Sequence, residues 1–206
     1  MQPLLTVAYI TGWRVNSELL PLEWRQVCFK TRTVRLEPGT TKNGEGREFP
    51  FTAELEAALL AQRAYTDAVQ RKVGAIIKDV FHRHDGKRIR YWRRPWLRAL
   101  LAVGLAHQEL GEDGRPTKGG KIIPQAIVHD FRRTAIRTLS RAGVSSEVAM
   151  RLAGHKTPAV FRRYRIVTGD DLRDAAAKLD AAGTIPGTTG TVEPISAAIG
   201  TAKSPK

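Results

Sequence analysis

The chain predicts an α+β protein, mainly α-helical, with a small antiparallel sheet. Three observations carry that prediction. Residues 33–51 hold two short alternating runs around an Asn43-Gly44 turn signal, which reads as a β-hairpin. Residues 52–72 form one long helix-forming run with Thr52 placed to cap it. From Gln125 onward, helix starts and stops follow one another closely.

Each element follows from its residues. "QPLLTVAYI" predicts a short apolar helix that ends at Thr11-Gly12, and "VNSELLPL" a second helix, with Ser17 in its first turn and Pro21 near its end. "TVRLE" alternates with Val34 and Leu36 on one face, and "REFPF" alternates with Phe49 and Phe51 inward. "KDVFHR" predicts a further short strand near 79–82. "WRRPWLRALLAVGLAHQEL" contains a helix with Pro95 near its start, and "GEDGRPTKGGK" is a loop. "AIVHDFRRTAIRTLSRAG" aligns Phe131, Ala135 and Leu139 on one stripe. "SSEVAMRLAG" has Ser145 as N-cap and Gly154 as its stop, and "TPAVFRRY" has Thr157 as N-cap with Pro158 behind it. "GDDLRDAAAKLDAA" predicts a last amphipathic helix. Residues 183–206, rich in Gly, Thr, Pro and Ser, are expected to be disordered.

Composition narrows the function. Of 206 residues, 42% are hydrophobic and 26% charged, enough for a real core. The net charge is +14, spread through the folded stretches, and nucleic acid is the common partner of such a surface. The single cysteine, Cys28, excludes an internal disulfide and fits a reducing compartment, so a cytoplasmic, nucleoid-associated protein is expected. No apolar run approaches the ~18 residues of a membrane span.

Several residues carry possible chemistry, and each has an ordinary explanation when taken alone. His129 and Arg132 share a helix face and suit a phosphate, but equally a solvated or ion-paired surface. Arg14 and Glu18 suit an i,i+4 surface pair. Lys42 suits a solvent-facing hairpin tip, and His155 a loop histidine. Tyr164, after Val160 and Phe161, suits a core aromatic. His82 and His84 form a weak metal pair with no third ligand nearby in sequence, and Trp92 and Trp96 read as packing.

Taken together, these residues occur in one order: Arg, Lys, His-x-x-Arg, Gly-His, Tyr. That order resembles the catalytic domain of the tyrosine recombinases, the phage-integrase family. "TGWRVNSELLPLEW" resembles its first arginine box and "TTKNGEGREFPF" its β-hairpin lysine segment. "HDFRRTAIRTLSRAGVSSEVAMRLAGHKTPAVFRRY" resembles its second box, with tyrosine nine residues after the histidine of Gly-His. The likeness covers roughly residues 1–180, which implies a catalytic domain over 1–182 followed by the 183–206 tail.

The resemblance implies roles. Tyr164 would be the nucleophile on the scissile phosphate. Arg14 and Arg132 would clamp its non-bridging oxygens. His129 would assist proton movement and His155 would bond a phosphate oxygen. Lys42 would protonate the leaving 5′-oxygen, and Glu18 would support the site. The implied activity is site-specific breakage and rejoining of double-stranded DNA through a 3′-phosphotyrosyl intermediate. It implies no metal and no small-molecule cofactor, no membrane, and a monomer that becomes a homotetramer on the DNA synapse. Two alternatives remain open here: a helix-turn-helix-like binding module or inactive remnant, and a type IB topoisomerase-like enzyme.

Three departures from the pattern stand out. The acidic residue follows the first arginine by four positions, where three is usual. Cys28 stands where many relatives carry aspartate. The chain begins within what resembles the first catalytic-domain helix, so a preceding DNA-clamping domain is expected to be missing. Weak, salt-sensitive DNA binding and poor recombination by this chain alone are expected for that reason.

Overall fold

The computed structural model describes residues 2–41, 44–112, 114–115, 117, 120–164 and 167–182. The Lys42 assignment and the expected disorder of 183–206 both lie outside the described residues. The chain divides into two units, residues 1–166 and 167–206.

The first unit starts with α1 (Gln2–Thr11), which buries Leu4, Val7, Ala8 and Thr11, spaced i, i+3, i+4, i+7. It packs against α2 (Ala53–Val73) and α4 (His129–Arg141). Gly12 ends it in the left-handed region, at φ +65, and a Cβ there would press on Ala135 of α4. Trp13 follows, fully buried, and its indole N–H donates to the Leu152 carbonyl at 3.0 Å. The break after α1 is thereby tied to a segment some 139 positions away.

The predicted second helix is a single π-helical turn, Val15–Leu19. Leu19 N–H donates to Arg14 O and Leu20 N–H to Val15 O, each spanning five residues. A 3₁₀ turn, Trp24–Gln26, leads into a three-stranded antiparallel sheet. Its strands are β1 (Val27–Cys28), β2 (Thr33–Leu36) and β3 (Arg47–Pro50). The hairpin register pairs Val34 with Phe49 and Leu36 with Arg47. Val34, Leu36 and Phe49 point into the core as predicted, and Arg47 is buried on the same face.

Thr52 caps α2 by accepting from Leu55 N–H, and Gly74 closes it in the left-handed region. The 78–83 stretch makes isolated bridges rather than a full strand, Glu23 with Asp79 and His82 with Arg88. His82 is buried, with its ring nitrogens on Thr66 Oγ1 and the Arg83 carbonyl. The described residues hold no cluster of three metal-type side chains. Helix α3 (Arg93–Ala102) stops well before residue 110, and Ala106–Gln108 (β4) pairs with Ile122–Pro124 (β5) instead. Strands of three residues are too short to leave a periodic signal.

Helix α4 lays Phe131 against the first core and Leu139 against a second one formed with α5 (Ser146–Ala153) and α6 (Pro158–Arg162). Ser145 and Thr157 cap α5 and α6 as predicted, each accepting from the N–H three residues on. Trp92 and Trp96 pack in sequence onto Phe131. In the second unit, Gly169–Ala182 forms helix α7. No helix among the described residues is long and apolar enough to cross a membrane.

Candidate active site

Four segments converge where α1 ends. The chain after Gly12 brings Arg14 and Glu18, and α4 brings His129 and Arg132. The left-handed turn at Gly154 brings His155, and the end of α6 brings Tyr164.

The carboxylate of Glu18 organises the first segment. It is fully buried yet accepts two hydrogen bonds from Arg14: backbone N–H to Oε2 at 2.7 Å and Nη1 to Oε1 at 2.8 Å. This is not the exposed surface pair of the ordinary reading. The π-helical turn explains the four-residue spacing: it takes in one extra residue, so the acid still faces back onto the arginine. Burial pushes the Glu18 carboxyl up, but Arg47 and Arg14 outweigh it and hold the group below its ordinary range. Arg14 keeps about a quarter of its side chain exposed.

Arg132 is 2% exposed. Its Nη1 donates to the Gly12 carbonyl at 2.9 Å and its Nη2 to the Gly154 carbonyl at 3.4 Å. Nε and Nη2 also donate to His155 Nε2, at 3.3 and 3.1 Å. A forked guanidinium with five donors can make all of these contacts at once, and a lysine cannot. Burial, and then Arg14, lower its pKa to about 10, so it stays cationic at neutral pH. His155 is also buried. Burial and the adjacent Arg132 depress its pKa to about 3, so the ring is neutral and receives the arginine's hydrogens.

Tyr164 is half-buried, and His129 Nε2 lies 2.8 Å from its hydroxyl. Its ring also contacts His155, with centroids 5.2 Å apart. Burial, then Arg132 and Arg14, lower the His129 pKa, which leaves a neutral imidazole able to accept a proton. Tyr164 packs on the margin of the second core, so the core-aromatic reading is half right, but its hydroxyl faces the basic cluster. A cleft of about 550 Å³ opens beside His129, lined in part by Arg90, Arg93, Tyr91 and Asn16.

Arg14, Glu18, His129, Arg132, His155 and Tyr164 thus meet at one place. The residue that the sequence reading missed is Arg47. Its Nη2 stands 2.5 Å from Glu18 Oε2, off the hydrogen-bond axis. Its signal in the sequence is parity: Arg47 falls on the same strand face as Phe49 and Phe51.

No curated protein matches the chain. Among solved structures, the Tn1549 transposon integrase in complex with a circular intermediate DNA superposes with a TM-score of 0.59 at 18% identity. That match covers 86% of this chain and 58% of the integrase. XerA recombinase gives 0.58 at 16% identity, covering 86% and 61%. XerH site-specific recombinase bound to difH substrate gives 0.55 at 17%, covering 85% and 46%. The chain therefore spans less than two thirds of each of these relatives, and it shares their fold. Its sequence matches the phage integrase family over residues 2–169. On that span, the chain belongs to the phage integrase family.

Proposed function

We propose that the chain carries the catalytic site of a site-specific DNA recombinase. The observation that supports this reading most is the 2.8 Å contact between His129 Nε2 and the Tyr164 hydroxyl, set beside Arg14, Arg132 and His155. The Tyr164 oxygen attacks the scissile phosphorus, and the bond from phosphorus to the 5′-oxygen breaks. His129 takes the phenol proton, and Lys42 gives a proton to the departing 5′-oxygen. Arg14 and Arg132 balance the charge that builds on the non-bridging oxygens. The 3′-phosphotyrosyl link retains the bond's energy, so a 5′-hydroxyl from another strand can reverse the step. Double-stranded DNA is the substrate, which fits the +14 charge, and four copies on two duplexes are the expected working assembly.

Incubation with nicked suicide DNA tests the reading. The chain is expected to become covalently attached to the 3′ end, and the Tyr164→Phe variant to bind the same DNA without attaching. Adducts that persist in that variant contradict the assignment. DNA binding with no adduct from either protein favours the binding-module alternative. Relaxation of supercoiled plasmids without site preference favours the topoisomerase-like one. For Lys42, the alanine variant is expected to slow cleavage of ordinary DNA while sparing a 5′-bridging sulfur substrate, whose leaving group needs no proton. Equal losses on both substrates make Lys42 a phosphate contact instead.

A further inference from the structure

Glu18 has two cationic neighbours in contact, and only one belongs to the set of residues considered above. Arg47 comes from β3, and its side chain is 4% exposed. Its guanidinium lies 5.4 Å from the centre of the Trp13 ring. A Cβ added at Gly154 would collide with its Nη1 and Cζ. Its Nε has no hydrogen-bond partner among the described residues. A buried guanidinium enclosed this tightly is costly unless its charge is answered, and the carboxylate of Glu18 answers it. Glu18 Oε2 is therefore shared between the Arg14 backbone N–H and Arg47, and Oε1 is left for the Arg14 side chain.

We propose that Arg47 is a positioning residue for this site: it anchors Glu18 from behind, and so fixes the Arg14 guanidinium, without touching DNA itself. The proposal rests on the recombinase reading for its catalytic consequence. Arg14 is only partly enclosed, so its own packing does not hold it. Its fixed partner is Glu18, and Glu18 is set on the opposite side by Arg47. The same guanidinium packs under the turn that presents His155, which links the first arginine's support to the second half of the site. The charged and titratable groups that act on Glu18 are Arg14 before the π turn, Arg47 on β3 and Arg132 on α4, with His155 held neutral beside Arg132. Loss of Arg47 removes the strongest attraction on the carboxyl and leaves its burial in place, so Glu18 takes up a proton at higher pH.

Two measurements on Arg47→Met and Arg47→Lys test this. The first needs no activity: an NMR titration of the Glu18 carboxyl, assigned with Glu18→Gln. The wild-type carboxyl is expected to titrate below the ordinary range and the Arg47→Met carboxyl above it, with Arg47→Lys close to wild type. The second is adduct formation on suicide DNA. The Arg47→Met rate is expected to fall on the order of 100-fold, the cost of a misplaced reacting group, with DNA affinity unchanged. That variant should also lose rate as pH falls through the new Glu18 pKa, and Arg47→Lys should recover part of the rate.

An unchanged Glu18 titration in Arg47→Met overturns the proposal. So does a loss of DNA affinity that matches the loss of rate, which would make Arg47 a phosphate contact. If Arg47→Met does not fold, the same titration in Arg47→Gln decides: an unchanged Glu18 there overturns the idea. If the wild type forms no adduct, the recombinase reading falls, and the titration still decides whether Arg47 sets Glu18.

Discussion

Among the described residues, Arg14 and Glu18 stand on a core of seventeen buried apolar side chains, whereas Tyr164 leans on a core of four. The first region gathers α1, the π turn, the sheet and α2 around Trp13, Leu19, Leu55 and Leu59, all almost fully buried. The second consists of Ile136, Ala149, Ala153 and Phe161. Each large apolar side chain removed from water contributes about 1.5–3 kcal/mol, so the two regions differ several-fold in what holds them. The groups that would clamp a phosphate are fixed in advance on a rigid support. The tyrosine that would attack it is held by a five-residue helix, one cap and a few ring contacts. Cations and donors stabilise developing charge best when they are already in place as it forms.

Arg132 joins the two regions, and its removal has the largest expected effect. It binds the Gly12 carbonyl on one side and the Gly154 carbonyl and His155 on the other. Arg132→Ala takes the guanidinium donor away from the buried Gly12 carbonyl and the buried His155 ring, and urea denaturation is expected to show a loss of about 3 kcal/mol. Adduct formation should fall roughly 1,000-fold, as for removal of a transition-state donor. A variant of wild-type stability would show that the two halves are held together by something else.

A pair of glycines sharpens the comparison. Gly74 and Gly154 both close helices at nearly the same angle, φ +68 and +69. A Cβ at Gly74 meets nothing within 4 Å, whereas one at Gly154 meets the Arg47 guanidinium. Gly74→Ala should cost only backbone strain, about 1 kcal/mol, and Gly154→Ala about 2–3 kcal/mol, with a loss of adduct because His155 moves. Thermal unfolding of the two variants checks this, and equal losses would mean that the Arg47 contact carries no weight.

The third test is in pH. The folded-state pKa of His155 is about 3, below its unfolded value near 6.5, so the unfolded chain binds the proton more readily. Its contribution to stability is complete above pH 6.5 and is lost progressively as pH falls toward 3. Urea midpoints measured between pH 7 and 5 should therefore decline more in the wild type than in His155→Asn. Parallel curves would place His155 in a more solvated setting.

The legible parts of the molecule were those written in local chemistry. The caps Thr52, Ser145 and Thr157, the stops Gly12 and Gly154, and the inward faces of Val34, Leu36 and Phe49 follow from neighbours in sequence. Motif order alone groups Arg14, His129, Arg132, His155 and Tyr164. The π turn was not legible, because "VNSELLPL" has ordinary helical periodicity and the extra residue shows only in the backbone bonds. Strands β4 and β5 were too short to announce themselves. The parity of Arg47 with Phe49 is legible but its role is not, because the carboxylate that answers its charge lies 29 positions earlier in the chain.

Mapping the attachment site tests the central claim most directly. The chain is trapped on nicked suicide DNA, the DNA is digested to a short stub, and the modified peptide is sequenced by mass spectrometry. The account predicts a nucleotide joined through its 3′-phosphate to Tyr164. A stub on any other residue, or a 5′-phosphate linkage, would contradict it.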